Sequence, residues 1–356
     1  MTTATTVQTG TVELAPAYRQ LLSATPGLRI RDAAQKLGAS EAELVASNVD
    51  ASSVRLADDW TGLLAELPKL GKVMTLTRNE FAVHEKVGAF EDVTASGKFG
   101  LVLGPDIDLR IFLDRWHFGF AVDKPVEGKS QRSLQFFDSD GTAVHKIFLR
   151  HDSDTEAYDA IVERFATPND VAPLQLNSVP EMEPDCPDGE VDIVGLHTAW
   201  KSLKDTHEFH PMLRRFKVGR VQALRLIGRD FARQVSVGSF RSIVEAAAGD
   251  GTEIMVFVGS RGCIQIHTGP VRKLKTYGAW FNVVDPGFNL HLREDAIASA
   301  WVVRKPTVDG VVTSLEIFDQ SNQVIALTFG KRMPGEPELA SWLALVAGIE
   351  RNGAEA

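Results

Sequence analysis

Two periodicities take turns along this chain. Through residues 14–67 the apolar positions recur at helical spacing: Ala15–Ala24, a Pro-Gly break at 26–27, Ile30–Leu37 ending on Gly38, and Asp58–Leu67 ahead of Pro68. Ser40 followed three residues later by Glu43 has the form of a capping box and opens one more helix. From Gly71 the period drops to two. VMTLT, FAVHE, GAFEDVTA, FGLVL, IDLRIFL, WHFGFAVDK, RSLQFFD and AVHKIFLR are short β-rich runs separated by Gly, Asp, Asn and Ser, the pattern of an antiparallel sheet. Asp154–Phe165 closes the block as a helix that turns Tyr158, Ile161, Val162 and Phe165 inward. The stretch that follows, rich in Pro, Asp and Glu, has no sustained period and reads as a linker.

After the linker the plan repeats. Setting Lys124-Pro125 on Lys305-Pro306 fixes an offset of 305 − 124 = 181. The same offset carries Ser133-Leu134 onto Ser314-Leu315, Phe137-Asp138 onto Phe318-Asp319, Phe148 onto Phe329, Leu109 onto Leu290 and Gly88 onto Gly269, without a gap. Matches of such different chemistry at one spacing mean two copies of one unit. The expected fold class is α+β, a tandem duplication of a helix-plus-antiparallel-sheet unit forming two lobes with a cleft between them. The expected boundaries are a tail at 1–13, a first repeat at 14–166, a linker at 167–191, a second repeat at 192–350 and a tail at 351–356. In the second repeat, 192–245 reads as helical, 253–330 as sheet and 336–349 as the closing helix. Copies share a scaffold, so aligned positions that differ are candidates for function. Arg110 becomes His291, Arg78 becomes Gly259 and His84 becomes Gln265. A pocket between the copies would then be asymmetric.

Composition narrows the partners. The 356 residues are 44% hydrophobic and 24% charged with a net charge of −9, against a surface devoted to nucleic acid or anionic lipid, so an anionic ligand needs a local cationic pocket. The segment RDAAQKLGASEAELVAS resembles a helix-turn-helix, but Glu41 and Glu43 sit where a base-reading helix carries Arg, Lys, Asn or Gln. Two cysteines, Cys186 and Cys263, make no disulfide framework or zinc ribbon and suit a reducing cytosol; Cys263, in an apolar strand, is expected to be inert. The opening residues lack the apolar core of a signal peptide, and no run of about twenty apolar residues occurs. The expectation is a cytoplasmic protein, with no nucleic-acid partner and no membrane insertion.

The chemistry gathers in Trp200–Arg220, WKSLKDTHEFHPMLRRFKVGR. Leu196, Trp200, Leu203 and His207 recur at steps of four, three and four, which places His207 on the apolar face of a helix. Arg214, Arg215, Lys217 and Arg220 follow it, and Pro211 is expected to break the helix after His210 and aim His207. A neutral imidazole with cations just beyond is what an iron porphyrin with its carboxylates requires. The plainer reading is a hydrogen-bonded core histidine. Zinc held by His207, Glu208 and His210 lacks a third ligand at recognisable spacing.

RNEFAVHEKVG at 78–88, DLRIFLDRW at 108–116, DTHEF at 205–209, EIMVFVGSRGCIQIHTG at 253–269 and WVVRKPTVDGVVTSLEIFD at 301–319 give the chain a wider resemblance. Over nearly its full length after the tail it resembles the bacterial cytoplasmic hemin-degrading or hemin-transport factors, the HemS-like family. The resemblance implies haem b, as ligand or substrate, in the cleft between the repeats, with His207 as the iron's axial ligand. It implies Arg110 as the distal group on the iron's other face, Arg220, Lys305 and Arg332 as cations at the propionates, and Phe112 and Phe257 packed on the porphyrin. The family also has a proposed second haem site that maps near His84. Family members often carry glutamine and tyrosine in the strand before the last arginine, where this chain has Leu327 and Phe329, so the hydrogen bonds of those groups are missing. The implied function is intracellular haem trafficking and iron release within a haem uptake system. The alternative is reductant-dependent opening of the porphyrin by a non-canonical haem oxygenase. With no GxGxxG fingerprint, electrons would come from outside, so a haem acceptor protein or an electron donor is the expected partner. A scaffold that binds no haem is the third reading.

Overall fold

The computed structural model of the chain describes residues 11–167, 173–178, 184–332 and 335–352. The fold is α+β, built on antiparallel strand pairs. The described residues divide into two units. Those of the first fall within Met1–Arg78, Glu85–Pro180 and Ser260–Gln265, those of the second within Asn79–His84, Glu181–Gly259 and Ile266–Ala356.

The first unit begins with α1 (Thr11–Ala24), α2 (Ile30–Leu37) and α3 (Glu41–Ala46). Gly38 terminates α2 in the left-handed region at φ 63°, and Ser40 and Glu43 exchange both hydrogen bonds of the capping box at the start of α3. Then come β1 (Ser52–Leu56), α4 (Trp60–Glu66), β2 (Gly71–Arg78), β3 (Ala82–Ala89), β4 (Val93–Ser96), β5 (Phe99–Leu103), β6 (Asp108–Phe112), β7 (Phe118–Val126), β8 (Lys129–Phe137), β9 (Ala143–Ser153) and α5 (Thr155–Phe165). Five strands pair in the order β1-β7-β8-β9-β2, and β4, β5 and β6 pair in sequence as a meander. One face of the five-stranded sheet buries Leu134, Phe136 and Ile147 with Leu63 and Leu64 of α4 and Tyr158 and Ile161 of α5. The other face sets Phe120 and Phe137 against Ala42 and Val45 of α3.

The second unit repeats the plan. Its elements are α6 (Ile193–Lys201), α7 (Phe209–Phe216), α8 (Arg220–Leu226), β10 (Ala232–Val235), α9 (Ser239–Asp250), β11 (Ile254–Gly259), β12 (Cys263–Gly269), β13 (Leu274–Tyr277), β14 (Trp280–Asp285), β15 (Phe288–Arg293), β16 (Ser299–Thr307), β17 (Gly310–Phe318), β18 (Val324–Gly330) and α10 (Ala340–Asn352). The order β10-β16-β17-β18-β11 matches the first sheet strand for strand, and β13-β14-β15 match the small meander. Val302, Leu315 and Val256 pack under α9 and α10, where Trp342 is wholly buried. The opposite face packs Trp301, Val303 and Phe318 against Trp200, Phe209, Leu213 and Leu224 of α6–α8. Apolar burial of this kind, about 25 cal/mol per Å², is the main term holding each unit together.

Three local expectations change. β1 and β10 lie inside stretches that read as helical; each is too short to display a period and is set by pairing with the edge of β7 or β16. α1 starts at Thr11 and α10 ends at Asn352, while the remainder of the expected tails lies outside the described residues. In the expected linker, Leu174 and Leu176 pack on the α3 face of the first unit, and Asn177 N–H donates to Ser139 O at 2.9 Å. Among the described residues no helix is long and apolar enough to cross a membrane.

Candidate functional site

Cross-strand partners in an antiparallel sheet point to the same face. In the second unit one such rung runs Trp301, Glu316, Leu327, Phe257 across β16, β17, β18 and β11. The next runs Val303, Ser314, Phe329, Met255. The helices cover Trp301 and Val303, but Leu327, Phe329, Phe257 and Met255 are only half-buried, and the Phe257 and Phe329 rings lie 5.0 Å apart. The two departures from the family pattern, Leu327 and Phe329, therefore make a continuous apolar panel of four side chains. Phe257 and Phe329 are both half-covered.

Charge sits at the helix-covered end of that panel. Arg220 is the first residue of α8; its Nε donates to Glu316 Oε2 at 2.7 Å and its Nη2 to Oε1 at 2.8 Å. Lys305 Nζ donates to the same Oε1 at 2.7 Å, and Ser314 Oγ completes its shell at 3.0 Å. Glu316 is fully buried and Lys305 is 4% exposed. Burial alone would raise the Glu316 carboxyl, but the charges of Arg220 and Lys305 outweigh it and hold it well below the usual carboxylate range. Burial also pushes the Lys305 ammonium down to about 8. Both cations lie over the ring of Phe209, Lys305 at 4.4 Å and Arg220 at 5.1 Å. The third expected cation, Arg332, follows β18, half-buried. Its Nε is buried and has no hydrogen-bond partner among the described residues.

His207 does not continue the α6 face. That helix stops at Lys201, and His207 lies in a separate 3-10 turn, Thr206–Glu208, with its side chain 86% exposed. Asp205 makes the break: its carboxylate caps the new turn by accepting the His207 N–H at 2.7 Å, and it holds His207 Nδ1 at 2.5 Å. Those bonds, the backbone one first, keep the Asp205 carboxyl below its usual range. Because the carboxylate accepts from Nδ1, the tautomer that results carries its lone pair on Nε2, the form a metal ligand needs. Pro211 also departs from expectation. It sits in the first turn of α7, where its missing N–H costs nothing, and His210 is part of that helix. His210 is exposed as a residue, yet its Nε2 faces Arg220 Nη1 at 3.5 Å. Desolvation of the ring, then Arg220 and Lys305, push its imidazole down to about 4.

In the first unit, Arg110 and Phe112 share a face of β6 and are paired across the ladder with Leu101 and Phe99 of β5. Phe99, Leu101 and Leu103 are exposed by 62%, 37% and 51%, an apolar row that the alternation of FGLVL already held. The Phe99 and Phe112 rings meet edge to face at 6.3 Å. Arg110 Nη1 donates to Asp108 beside it, and burial, offset in part by Arg110, raises the Asp108 carboxyl. His84 has no exposed surface; its ring lies 4.8 Å from that of Phe288, with Nε2 against Val256 O at 3.3 Å, so a haem cannot reach it without opening the core. Cys263 is buried and its thiol is pushed up to about 12, which keeps it protonated and unreactive. Among the described residues no three His, Cys, Asp or Glu gather as a metal site.

The second unit brings Arg220 and Lys305 together over Phe209, with Phe257 on the sheet rung that carries Glu316. His207 lies two residues before Phe209 in the chain, and its ring is held by Asp205. The first unit sets Arg110 and Phe112 on one face of β6 beside an exposed apolar row. Glu316 escaped the sequence reading. Its signal was the polar residue held in the inward register of both copies, Gln135 and Glu316.

Comparison with known proteins places this arrangement. The profile of the haemin-degrading HemS/ChuX domain matches residues 38–165 and again 217–349. The hemin transport protein HmuS of Yersinia pestis is 41% identical over 334 residues, 93% of this chain and 95% of that protein. The crystal structure of the haem-loaded, haem-binding protein PhuS of Pseudomonas aeruginosa superposes with a TM-score of 0.93 at 47% identity, covering 96% of this chain and 99% of that one. The Escherichia coli haem oxygenase ChuS superposes with a TM-score of 0.86 at 37% identity over 95% and 99% of the two chains. The chain belongs to the HemS/ChuX family and carries its domain twice.

Proposed function

We propose that this protein binds haem for intracellular trafficking and iron release, with His207 as the axial ligand. The observation that carries the reading is His207 itself, exposed and held by Asp205 in the tautomer that leaves Nε2 for iron. The surroundings fit the rest of the ligand. Phe257, Phe329, Leu327 and Met255 offer an apolar plane to one porphyrin face, while Arg220 and Arg332, with Lys305 behind, supply positive charge for the propionates. Arg110 and Phe112 belong to the exposed apolar face of the first unit. Covering a few hundred Å² of porphyrin at about 25 cal/mol per Å² makes apolar contact, not the iron bond, the larger share of affinity before association costs. The kinship with HmuS, a hemin transport protein, and PhuS, a haem-binding protein, supports the same reading.

Hemin titration of the wild type and His207→Ala tests it. The wild type gives a shifted Soret band with 1:1 saturation, and His207→Ala gives a different band with weaker binding. Identical spectra for both would remove His207 from the iron.

A second reading, cleavage of haem with an external reductant, is favoured by Arg110. A guanidinium near the haem iron would stabilise negative charge developing there. The E. coli relative ChuS is described as a haem oxygenase. With ascorbate and catalase present, an enzyme loses the Soret band and yields an open tetrapyrrole, and Arg110→Ala slows that loss. A carrier keeps its band under the same conditions.

A further inference from the structure

Two cations in the second unit, the buried Lys305 and the largely covered Arg220, converge on one carboxylate. Glu316 engages two of the three nitrogens of the Arg220 guanidinium, and the remaining one, Nη1, has among the described residues only His210 Nε2 at 3.5 Å. The Arg220 side chain is 12% exposed, whereas Glu316 and Lys305 lie beneath it almost without solvent contact. Lys305 has no route outward past this arrangement: its ammonium is held by Glu316 Oε1 below and the face of Phe209 at 4.4 Å. The aligned position in the first unit is Gln135, whose Nε2 donates to Ser133 Oγ at 3.0 Å. There the counterpart of Lys305, Lys124, turns instead to Asp50 at 2.6 Å. The same backbone therefore accepts glutamine at this position, and the carboxylate is peculiar to the copy that carries His207.

We infer that Glu316 is the positioning residue that gives the haem site its preference for a carboxylate-bearing porphyrin, by clamping Arg220 so that Nη1 alone faces the ligand. This rests on the haem-binding reading above. The geometry favours positioning over simple neutralisation. Without Glu316 the buried ammonium of Lys305 loses its counter-charge and sheds its proton, so no second cation is released to the ligand. Arg220 meanwhile loses both bonds that fix its plane. The net result of removing the negative charge is then a weaker grip on an anionic ligand, opposite to what counting charges alone would give.

The test titrates full-length wild type, Glu316→Gln and Ser314→Ala with hemin and with hemin dimethyl ester, following the Soret band. Wild type is expected to prefer hemin at least about 10-fold. Glu316→Gln should shrink that preference to within about 3-fold by weakening hemin while leaving the ester unchanged. Ser314→Ala, which loosens the carboxylate without removing it and stands in if the glutamine variant does not fold, should narrow the preference by about 3-fold. A preference that survives in both variants, or hemin and ester weakening together, overturns the assignment while the haem reading stands. A wild type that gives no Soret shift with hemin overturns both.

Discussion

Arg220 and Glu316, 96 residues apart, meet through two parallel N–H···O bonds at the foot of the panel, and the first unit answers with the opposite polarity. There the equivalent rung runs Phe120, Gln135, Lys146, Leu76, with the cation on β9 where the second unit has Leu327. Lys146 Nζ donates to Glu41 of α3 at 2.8 Å, both residues being buried. Glu41 in turn aligns with Gln222 of α8 at the same offset of 181. Each copy thus ties its helices to its sheet with a buried ion pair, and the sheet contributes the cation in one and the anion in the other. The duplicated backbone tolerates either arrangement because both use a position already turned toward the helices.

Lys146→Leu alone should cost about 3–5 kcal/mol, because it leaves Glu41 buried beside an apolar side chain. Adding Glu41→Gln restores the pair that the second unit uses naturally, Gln222 and Leu327, and should recover most of the loss. Urea denaturation of the four members of this cycle measures the coupling. Strict additivity would mean that the two charges do not depend on each other.

His145 makes the first unit sensitive to acid. Its Nδ1 lies 2.9 Å from Thr77 Oγ1, which gives its one proton to Gln265 Oε1 at 3.2 Å, so Nδ1 carries the imidazole proton. Nε2 is buried with no partner among the described residues, and burial pushes the group down to about 3. The unfolded chain takes up this proton below pH about 6.5 and the folded chain does not until about 3, so stability falls with pH across that window. The full span is worth roughly 4–5 kcal/mol, at a slope of about 1.4 kcal/mol per pH unit. His145→Gln should flatten the dependence of the urea midpoint between pH 6.5 and 4.5. An unchanged slope would assign the sensitivity to other groups.

The fold was legible because its two signals are local and doubled. The period change at Gly71, the capping box at Ser40 and the 181-residue offset need no tertiary information, and the sheet strands follow them. The site was legible only in part. Helical spacing carried His207 onto the α6 face, yet spacing cannot register that Asp205 starts a new turn, since a cap competes locally with helix continuation. Glu316 could be suspected only from the polar residue that both copies hold at this register, Gln135 and Glu316; its partner Arg220, 96 residues away, comes from the fold. Residues 260–265 belong to the first unit although they lie in the second repeat, and no periodicity reports such an exchange.

Asp205 should matter to iron rather than to folding. Asp205→Asn keeps an acceptor for the backbone N–H but removes the charge that fixes the imidazole proton on Nδ1. Replacing such an orienting partner weakens metal ligation by about 10–100-fold, and the exposure of this pair favours the lower end. Hemin affinity should therefore fall about 10-fold with no change in the thermal midpoint of the ligand-free protein. Equal hemin affinity in the variant would show that His207 does not need its carboxylate.

Gly262 links the exchanged segment to Arg110. Its carbonyl accepts from Phe112 N–H at 3.0 Å and from Trp116 Nε1 at 3.0 Å, which pins the end of β6. A Cβ at this position would lie 3.0 Å from Trp116 Cδ1 and 3.0 Å from Val144 Cβ, closer than packed carbon atoms sit. Trp116 cannot yield easily, since its ring is stacked on Phe136 at 4.1 Å and Trp60 Nε1 donates to its carbonyl at 2.7 Å. Gly262→Ala should thus destabilise by about 1–3 kcal/mol through overpacking. The strain falls at the end of β6, two residues beyond Arg110, so the variant should also slow any ascorbate-driven loss of the Soret band more than it weakens hemin binding. Urea titration measures the first effect and the two hemin assays separate the second. A variant with wild-type stability would show that the Trp116 pocket has slack the contacts do not suggest.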